Sequence, residues 1–101
     1  MRLDRIQKTA LKIALQNLKI NDKAFLFGSR VDDTKHGGDI DLLIFSHQAD
    51  FELSRKITRD FFKNCEEKID VLVINPEQIT TEQELFVQSI KKMPLTSSCL
   101  N

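Results

Sequence analysis

The sequence has 101 residues, of which 41% are hydrophobic and 30% are charged. These values are typical of one globular domain, and they exclude a disordered chain and a two-domain enzyme. Fifteen Lys and Arg residues balance fifteen Asp and Glu residues, whereas proteins that bind long nucleic acids usually carry a basic excess. We therefore expect no long nucleic acid as a partner.

The cysteines and the apolar runs indicate a compartment. Cys65 and Cys99 fit neither a metal-binding spacing nor a disulfide framework, so we interpret both as free thiols in a reducing environment. No apolar run approaches the roughly 18 residues of a spanning helix. The first residues lead into charged side chains rather than into an apolar signal segment. The sequence therefore predicts a cytoplasmic protein without membrane association.

Hydrophobic periodicity and turn residues predict six secondary-structure elements. In chain order they are a helix at residues 3–19, strands at 24–27 and 39–45, a helix at 50–67, a strand at 69–74 and a helix from about 80 to 93. The last helix is expected to begin with a capping box, formed by Thr80 with Gln83 or by the corresponding pair one residue later. A proline ends it, and residues 94–101 are expected to form a loose tail.

The first predicted helix is amphipathic, with a narrow basic stripe and a broad apolar face. The apolar positions are Leu3, Ile6, Ala10, Ile13, Ala14 and Leu18. We interpret the basic stripe as a solvated surface rather than a phosphate-binding one, because the chain as a whole is neutral.

The element order α-β-β-α-β-α predicts the fold class. It contains no repeat and no linker, so residues 1–93 are expected to form a single domain. Strands must bury their apolar sides against helices in so short a chain. The prediction is therefore an α/β (α+β) fold, with a small mixed β-sheet and flanking helices.

Three aspartates lie at predicted strand ends. Strand residues two apart point to the same face, so Asp39 and Asp41 are expected to project together. Two ionised carboxylates held close repel each other, and a divalent cation would remove that cost; Mg²⁺ prefers such oxygen ligands. Asp70 interrupts an apolar strand, where a charge is unusual. If the two strands are neighbours, three carboxylates can hold two metal ions about 3.5–4 Å apart.

A glycine-serine pair supplies the complementary half of a phosphate site. Gly28 follows the first strand and lets the backbone approach an anion closely, and Ser29 adds a hydroxyl donor. Arg30 is a candidate for a forked contact with phosphate oxygens. Gly38, directly before the aspartate pair, allows the loop an unusual backbone conformation.

Residues 27–30 (FGSR), followed by residues 38–44 (GDIDLLI), carry a recognisable pattern. This pattern resembles the signature of the DNA polymerase β-like nucleotidyltransferase superfamily, and the chain length is similar to its minimal nucleotidyltransferase (MNT) branch. The resemblance covers about residues 20–75. It implies a nucleotidyltransferase fold.

The resemblance also implies roles for individual residues. Ser29, with the glycine before it, would hold the nucleotide phosphates. Asp39 and Asp41 would bind Mg²⁺. Asp70 would complete the metal site and help to activate the attacking hydroxyl.

Two positions depart from the family pattern. Many relatives have Ala-Arg-Gly after Gly-Ser-Arg and a serine before the aspartate pair, whereas this chain has residues 31–36 (VDDTKH) and Gly38 there. Lys35 or His36 is a candidate replacement for the missing arginine, although the simpler interpretation of each is an exposed loop residue. The two acidic residues of this segment are interpreted as turn formers rather than ligands.

The resemblance further implies a reaction and a partner. Minimal members are often paired with a helical HEPN ribonuclease toxin, and they act as its antitoxin by transferring AMP from ATP to a tyrosine of the toxin. The leading hypothesis is therefore Mg²⁺-dependent AMP transfer to such a partner. Two alternatives stay open: a stand-alone nucleotidyltransferase for a small hydroxylated molecule, with the acceptor held at a dimer interface, or a non-catalytic module that neutralises its partner by covering it.

A purely structural interpretation of the three aspartates is also open. In it, they cap strands and pair with nearby Lys or Arg side chains. It is the less favoured interpretation, because a buried charge without a strong partner costs several kcal/mol and this chain carries three such residues at matching strand ends.

Overall fold

The computed structural model describes residues 1–35 and 37–100, apart from the side chains of Ser97 and Ser98. Its elements are α1 (Arg5–Ala14), β1 (Lys23–Phe27), β2 (Ile40–Phe45), α2 (Asp50–Phe62), β3 (Ile69–Ile74), α3 (Thr81–Ser89), β4 (Lys92–Pro94) and α4 (Ser97–Leu100). Short 3₁₀ helices follow α1 and β1, at Leu15–Asn17 and Gly28–Val31.

The four strands form one mixed sheet in the order β3-β2-β1-β4. β1 is antiparallel to both of its neighbours, and β2 is parallel to β3. Parallel neighbours need a long crossover connection, and α2 supplies it between β2 and β3. The predicted small mixed sheet with flanking helices is confirmed.

One face of the sheet is covered by α1 and α2, and the core lies there. Alternate strand residues point to this face. The core comprises Ala10, Leu11, Ala14, Leu26, Ile40, Leu42, Ile44, Leu53, Ile57 and Phe61, with further apolar neighbours. The opposite face carries Asp41 and Asp70 and is only partly covered, so the fold presents these charges at an open surface.

Helix α1 is shorter than predicted, and its buried face is narrower. It begins at Arg5 because Asp4 caps it: the Asp4 carboxylate accepts from the Gln7 backbone N–H, and the Gln7 side chain accepts from the Asp4 backbone N–H. Ile6 and Ile13 were expected in the core but are 64% and 37% exposed. The 3.6-residue period turns both away from the sheet.

The later helices also end earlier than predicted. α2 stops at Phe62 rather than at residue 67, although Cys65 beyond it is buried. α3 begins with the capping box of Thr80 and Gln83, one of the two predicted alternatives, and it ends at Ser89 rather than near residue 93. In these described residues no helix is long and apolar enough to cross a membrane.

The prediction of a loose tail at residues 94–101 is wrong for the part of it that the structure describes. Pro94 belongs to β4, which pairs with β1, and the Leu95 backbone N–H donates to the Ala24 carbonyl at 2.8 Å. Leu95 and Leu100 are buried in the core. A proline is acceptable in this strand because β4 lies at the sheet edge.

Candidate active site

Two of the predicted site aspartates lie directly opposite each other. In the parallel pair of β2 and β3, Asp41 is the register partner of Asp70. Partners in register on neighbouring strands point to the same face of the sheet. Both carboxylates therefore project from the face opposite α1 and α2, which is the arrangement that the sequence predicted on condition that the strands were neighbours.

Asp39 lies just before β2, within electrostatic reach of Asp41. Its carboxylate Oδ2 is 3.5 Å from the Lys68 ammonium Nζ, and the Lys68 side chain is 70% exposed. Lys68 was not predicted as a site residue. The sequence signal that could have indicated it is its position two residues before Asp70 and directly before the neighbouring strand β3.

The pKa of Asp41 is raised above its ordinary value. Partial burial is the largest cause, followed by the negative charges of Asp70 and Asp39, while Lys68 acts in the opposite direction. The ionised form of Asp41 is therefore disfavoured in the protein alone.

A divalent cation would stabilise the ionised carboxylate, and carboxylates are its preferred ligands. The donor chemistry of Asp39, Asp41 and Asp70 thus fits Mg²⁺. Across residues 1–35 and 37–100, however, no three His, Cys, Asp or Glu side chains are already grouped so that they could hold an ion. Occupancy by two ions stays a prediction.

Gly28 and Gly38 pack closely against side chains of the candidate site. Gly28 has φ +77°, and a Cβ placed on it would collide with the Asp41 carboxylate. Gly38 has φ +88°, and a Cβ there would collide with the Ser29 hydroxyl. Both positions combine a left-handed backbone with a close approach, so only glycine fits without rearrangement. The predicted phosphate-binding turn therefore lies against Asp41, one of the predicted metal ligands.

Arg30 lies inside the protein rather than at the open face. Its Nε donates to the Gly38 carbonyl at 3.0 Å, and Nη1 donates to the Arg2 carbonyl at 3.2 Å. Nη2 is 3.8 Å from the Glu67 carboxylate. Only 8% of the residue is exposed. In this arrangement the guanidinium holds protein groups together, and its predicted contact with nucleotide phosphates stays untested.

Lys35 and His36 are the two candidates for replacing the missing family arginine. Lys35 is exposed in the loop before the glycines. The prediction for His36 lies outside the described residues. Asp32 accepts from the Thr34 backbone and hydroxyl at 2.9 and 2.6 Å, which is the geometry of a turn-forming side chain.

An aromatic side chain beside the carboxylates was not singled out from the sequence. Phe27 is the register partner of Asp41 on the antiparallel neighbour, so its ring lies on the same face. Phe86 of α3 packs edge-on against it, with ring centroids 5.6 Å apart. The contact joins residues distant in sequence, and no local pattern predicts it.

Comparison with known families accounts for this arrangement. The model of the family described as "Polymerase beta, Nucleotidyltransferase" matches residues 8–91, which span most of the chain. The chain belongs to this family. As a nucleotidyltransferase domain, it carries the family fold, and the family supports nucleotidyl transfer as its general activity. The comparison with curated proteins found no match.

Proposed function

We propose that this nucleotidyltransferase is Mg²⁺-dependent and transfers AMP from ATP to a tyrosine hydroxyl of a HEPN-type ribonuclease, for which it acts as the antitoxin. One observation carries the proposal of catalysis: Asp41 and Asp70 face each other in register, with the Gly28 turn against Asp41. The choice of ATP, tyrosine and partner is supported by the resemblance to minimal nucleotidyltransferases.

Asp39, Asp41 and Asp70 are the residues that would hold Mg²⁺ in this proposal. The raised pKa of Asp41 supports it, since partial burial and then the negative charges of Asp70 and Asp39 disfavour the ionised carboxylate when no cation is bound. When bound, the ion would neutralise charge that develops on the phosphoryl oxygens during transfer.

The chain's own residues would bind and orient the reactants. The turn at Gly28 and Ser29 would receive the phosphates, with the Ser29 hydroxyl as a donor. The ring of Phe27, on the same sheet face as Asp41, would contact the planar part of the nucleotide or of the acceptor.

In the transfer step, the acceptor oxygen forms a bond to the α-phosphorus while the bond between that phosphorus and the bridging oxygen breaks. Pyrophosphate leaves with the electron pair of the broken bond. In the proposal, Asp70 also takes the proton of the acceptor hydroxyl, in addition to its part in holding the ion.

The test offers the product of the neighbouring gene, which the proposal expects to be a HEPN-type ribonuclease, as the acceptor and measures transfer by intact-protein mass spectrometry. With Mg²⁺ and ATP, the partner should gain the mass of one AMP on a tyrosine. Asp41→Asn and Asp70→Asn should slow this gain by about 100-fold or more, because charge stabilisation by the ion contributes several kcal/mol. Asp33→Asn is the matched control, since it makes the same change at an exposed position in the nearby loop.

Other outcomes would replace parts of the proposal. Neutralisation of the partner without any mass gain, unchanged in Asp41→Asn, would favour the covering module. AMP transfer to a small hydroxylated molecule but not to the partner would favour the stand-alone enzyme. Absence of Mg²⁺-dependent ATP binding in calorimetry, with and without the partner, would overturn the proposed catalysis.

A further inference from the structure

The segment before α1 is joined to the site loops through two arginines. The Arg2 backbone N–H donates to the Arg30 carbonyl at 2.7 Å, and the Arg30 Nη1 donates back to the Arg2 carbonyl at 3.2 Å. This reciprocal pair places the Arg2 side chain beside the turn that contains Ser29.

The Arg2 guanidinium cross-links two separate parts of the site. Its Nη2 donates to the Ser29 carbonyl at 2.7 Å and to the Gly37 carbonyl at 2.9 Å. Its Nε donates to the Asp32 carbonyl at 2.8 Å. One side chain therefore connects the turn of Gly28 and Ser29 to the glycine loop, residues 37–38, that leads into Asp39.

Two glycines form the part of this loop that leads into Asp39. Gly37 and Gly38 both have positive φ, and neither lies in a regular element. Glycine has the greatest backbone freedom to lose on ordering. The Gly38 carbonyl is held by Arg30 at 3.0 Å, whereas the Gly37 carbonyl is held by Arg2.

We infer that Arg2 is a positioning residue of the nucleotidyl-transfer site, which fixes the glycine loop against the Ser29 turn. The planar fork of arginine presents donors in several directions at once, and a lysine ammonium cannot reproduce that geometry. The inference about loop order stands on the contacts alone, and the expected effect on nucleotide binding rests on the proposed function.

The experiment compares four proteins by NMR relaxation: the wild type, Arg2→Gln, Arg2→Lys and the control Arg5→Gln. Arg5 is exposed on α1. In both Arg2 variants the backbone order parameter of Gly37 should fall from about 0.85 to below about 0.6. Gly38 should lose less order because Arg30 still holds it, and Arg5→Gln should resemble the wild type.

Calorimetry with Mg·ATP supplies the second measurement. Loss of preorganisation should weaken binding about tenfold in both Arg2 variants. Because Arg2→Lys keeps the positive charge, wild-type affinity in that variant would show that charge alone matters and would overturn the inference. An unchanged Gly37 order parameter would overturn it as well. If the wild type binds no Mg·ATP, the proposed function fails, and the order parameters by themselves decide the role of Arg2.

Discussion

At the scale of single residues, Asp41 is both a residue of the central strand β2 and a carboxylate of the candidate site. It occupies a strand position with Asp70 in register on one side and Phe27 on the other. Burial and the charges of Asp70 and Asp39 raise its pKa. A residue that is unfavourable when ionised in the protein alone is typical of functional sites, where stability is given up for chemistry.

Asp41→Asn should therefore stabilise the protein alone at neutral pH. Because the pKa of Asp41 is higher in the folded chain than in the unfolded chain, the folded chain binds more protons in the window that extends upward from the ordinary value of 3.8. The stability associated with protonated Asp41 is complete below that window and is lost as the pH rises through it. Urea unfolding at several pH values measures this.

The advantage of the Asp41→Asn variant should shrink as the pH falls through the same window, because Asp41 then becomes neutral in the wild type. Asp33→Asn, at an exposed position, should show no such pH-dependent gain. A variant that is less stable than the wild type at pH 7 would contradict the electrostatic account.

At the scale of elements, the site is made by the turn after β1, the segment before β2 and the first residues of β2 and β3. Gly28 begins the 3₁₀ helix after β1, and Gly38 precedes β2. Their left-handed backbones bring the two segments together where a side chain would block them. Close packing of these segments gives the site its form.

Alanine at two neighbouring glycines separates backbone strain from close packing. Gly37 and Gly38 have φ +68° and +88°, but a Cβ on Gly37 would have no described atom within 4 Å apart from those of its own chain neighbours. Gly37→Ala should cost about 1–2 kcal/mol, from the left-handed backbone alone. Gly38→Ala should cost more and should also displace Ser29.

Urea unfolding and Mg·ATP calorimetry measure the two effects. Nucleotide affinity should fall further in Gly38→Ala than in Gly37→Ala, because only the former moves the serine. Equal losses of stability and affinity in the two variants would show that the contact between Gly38 and Ser29 is unimportant.

At the scale of the whole molecule, the sheet is completed by residues far apart in the chain. β4 pairs with β1, and the Leu95 and Leu100 side chains fill the core beside α1. The C-terminal residues that the structure describes are therefore part of the domain and contribute to the support of β1, which leads into the turn of Gly28 and Ser29.

Leu95→Ala should destabilise the protein by about 2–5 kcal/mol, because it removes a buried side chain and leaves a cavity. Leu95 is 8% exposed, whereas Ile20 is 98% exposed. Ile20→Ala is the control and should change the free energy of unfolding by no more than about 0.5 kcal/mol. Urea unfolding of both variants checks this, and a loss of under 1 kcal/mol in Leu95→Ala would contradict a core role.

Most of the sheet could be predicted from the sequence, and the later part of the chain could not. The apolar run of β3 was predicted at its observed bounds, because a strand between clear breaks has a local signature. β4 has only three residues, and its pairing with β1 supplies the stability that its own sequence lacks. Local patterns therefore overextended α3 into residues that belong to β4.

The sequence by itself determined the residue types of the candidate site and their order, because the strand, the glycine turn and the aspartate pair are each local patterns. The tertiary structure decided that β3 lies beside β2, which brings Asp70 opposite Asp41. It also decided that Arg30 is buried and that Arg2 reaches Gly37, 35 residues away. Such contacts depend on how elements pack, and packing is a property of the whole chain rather than of any segment.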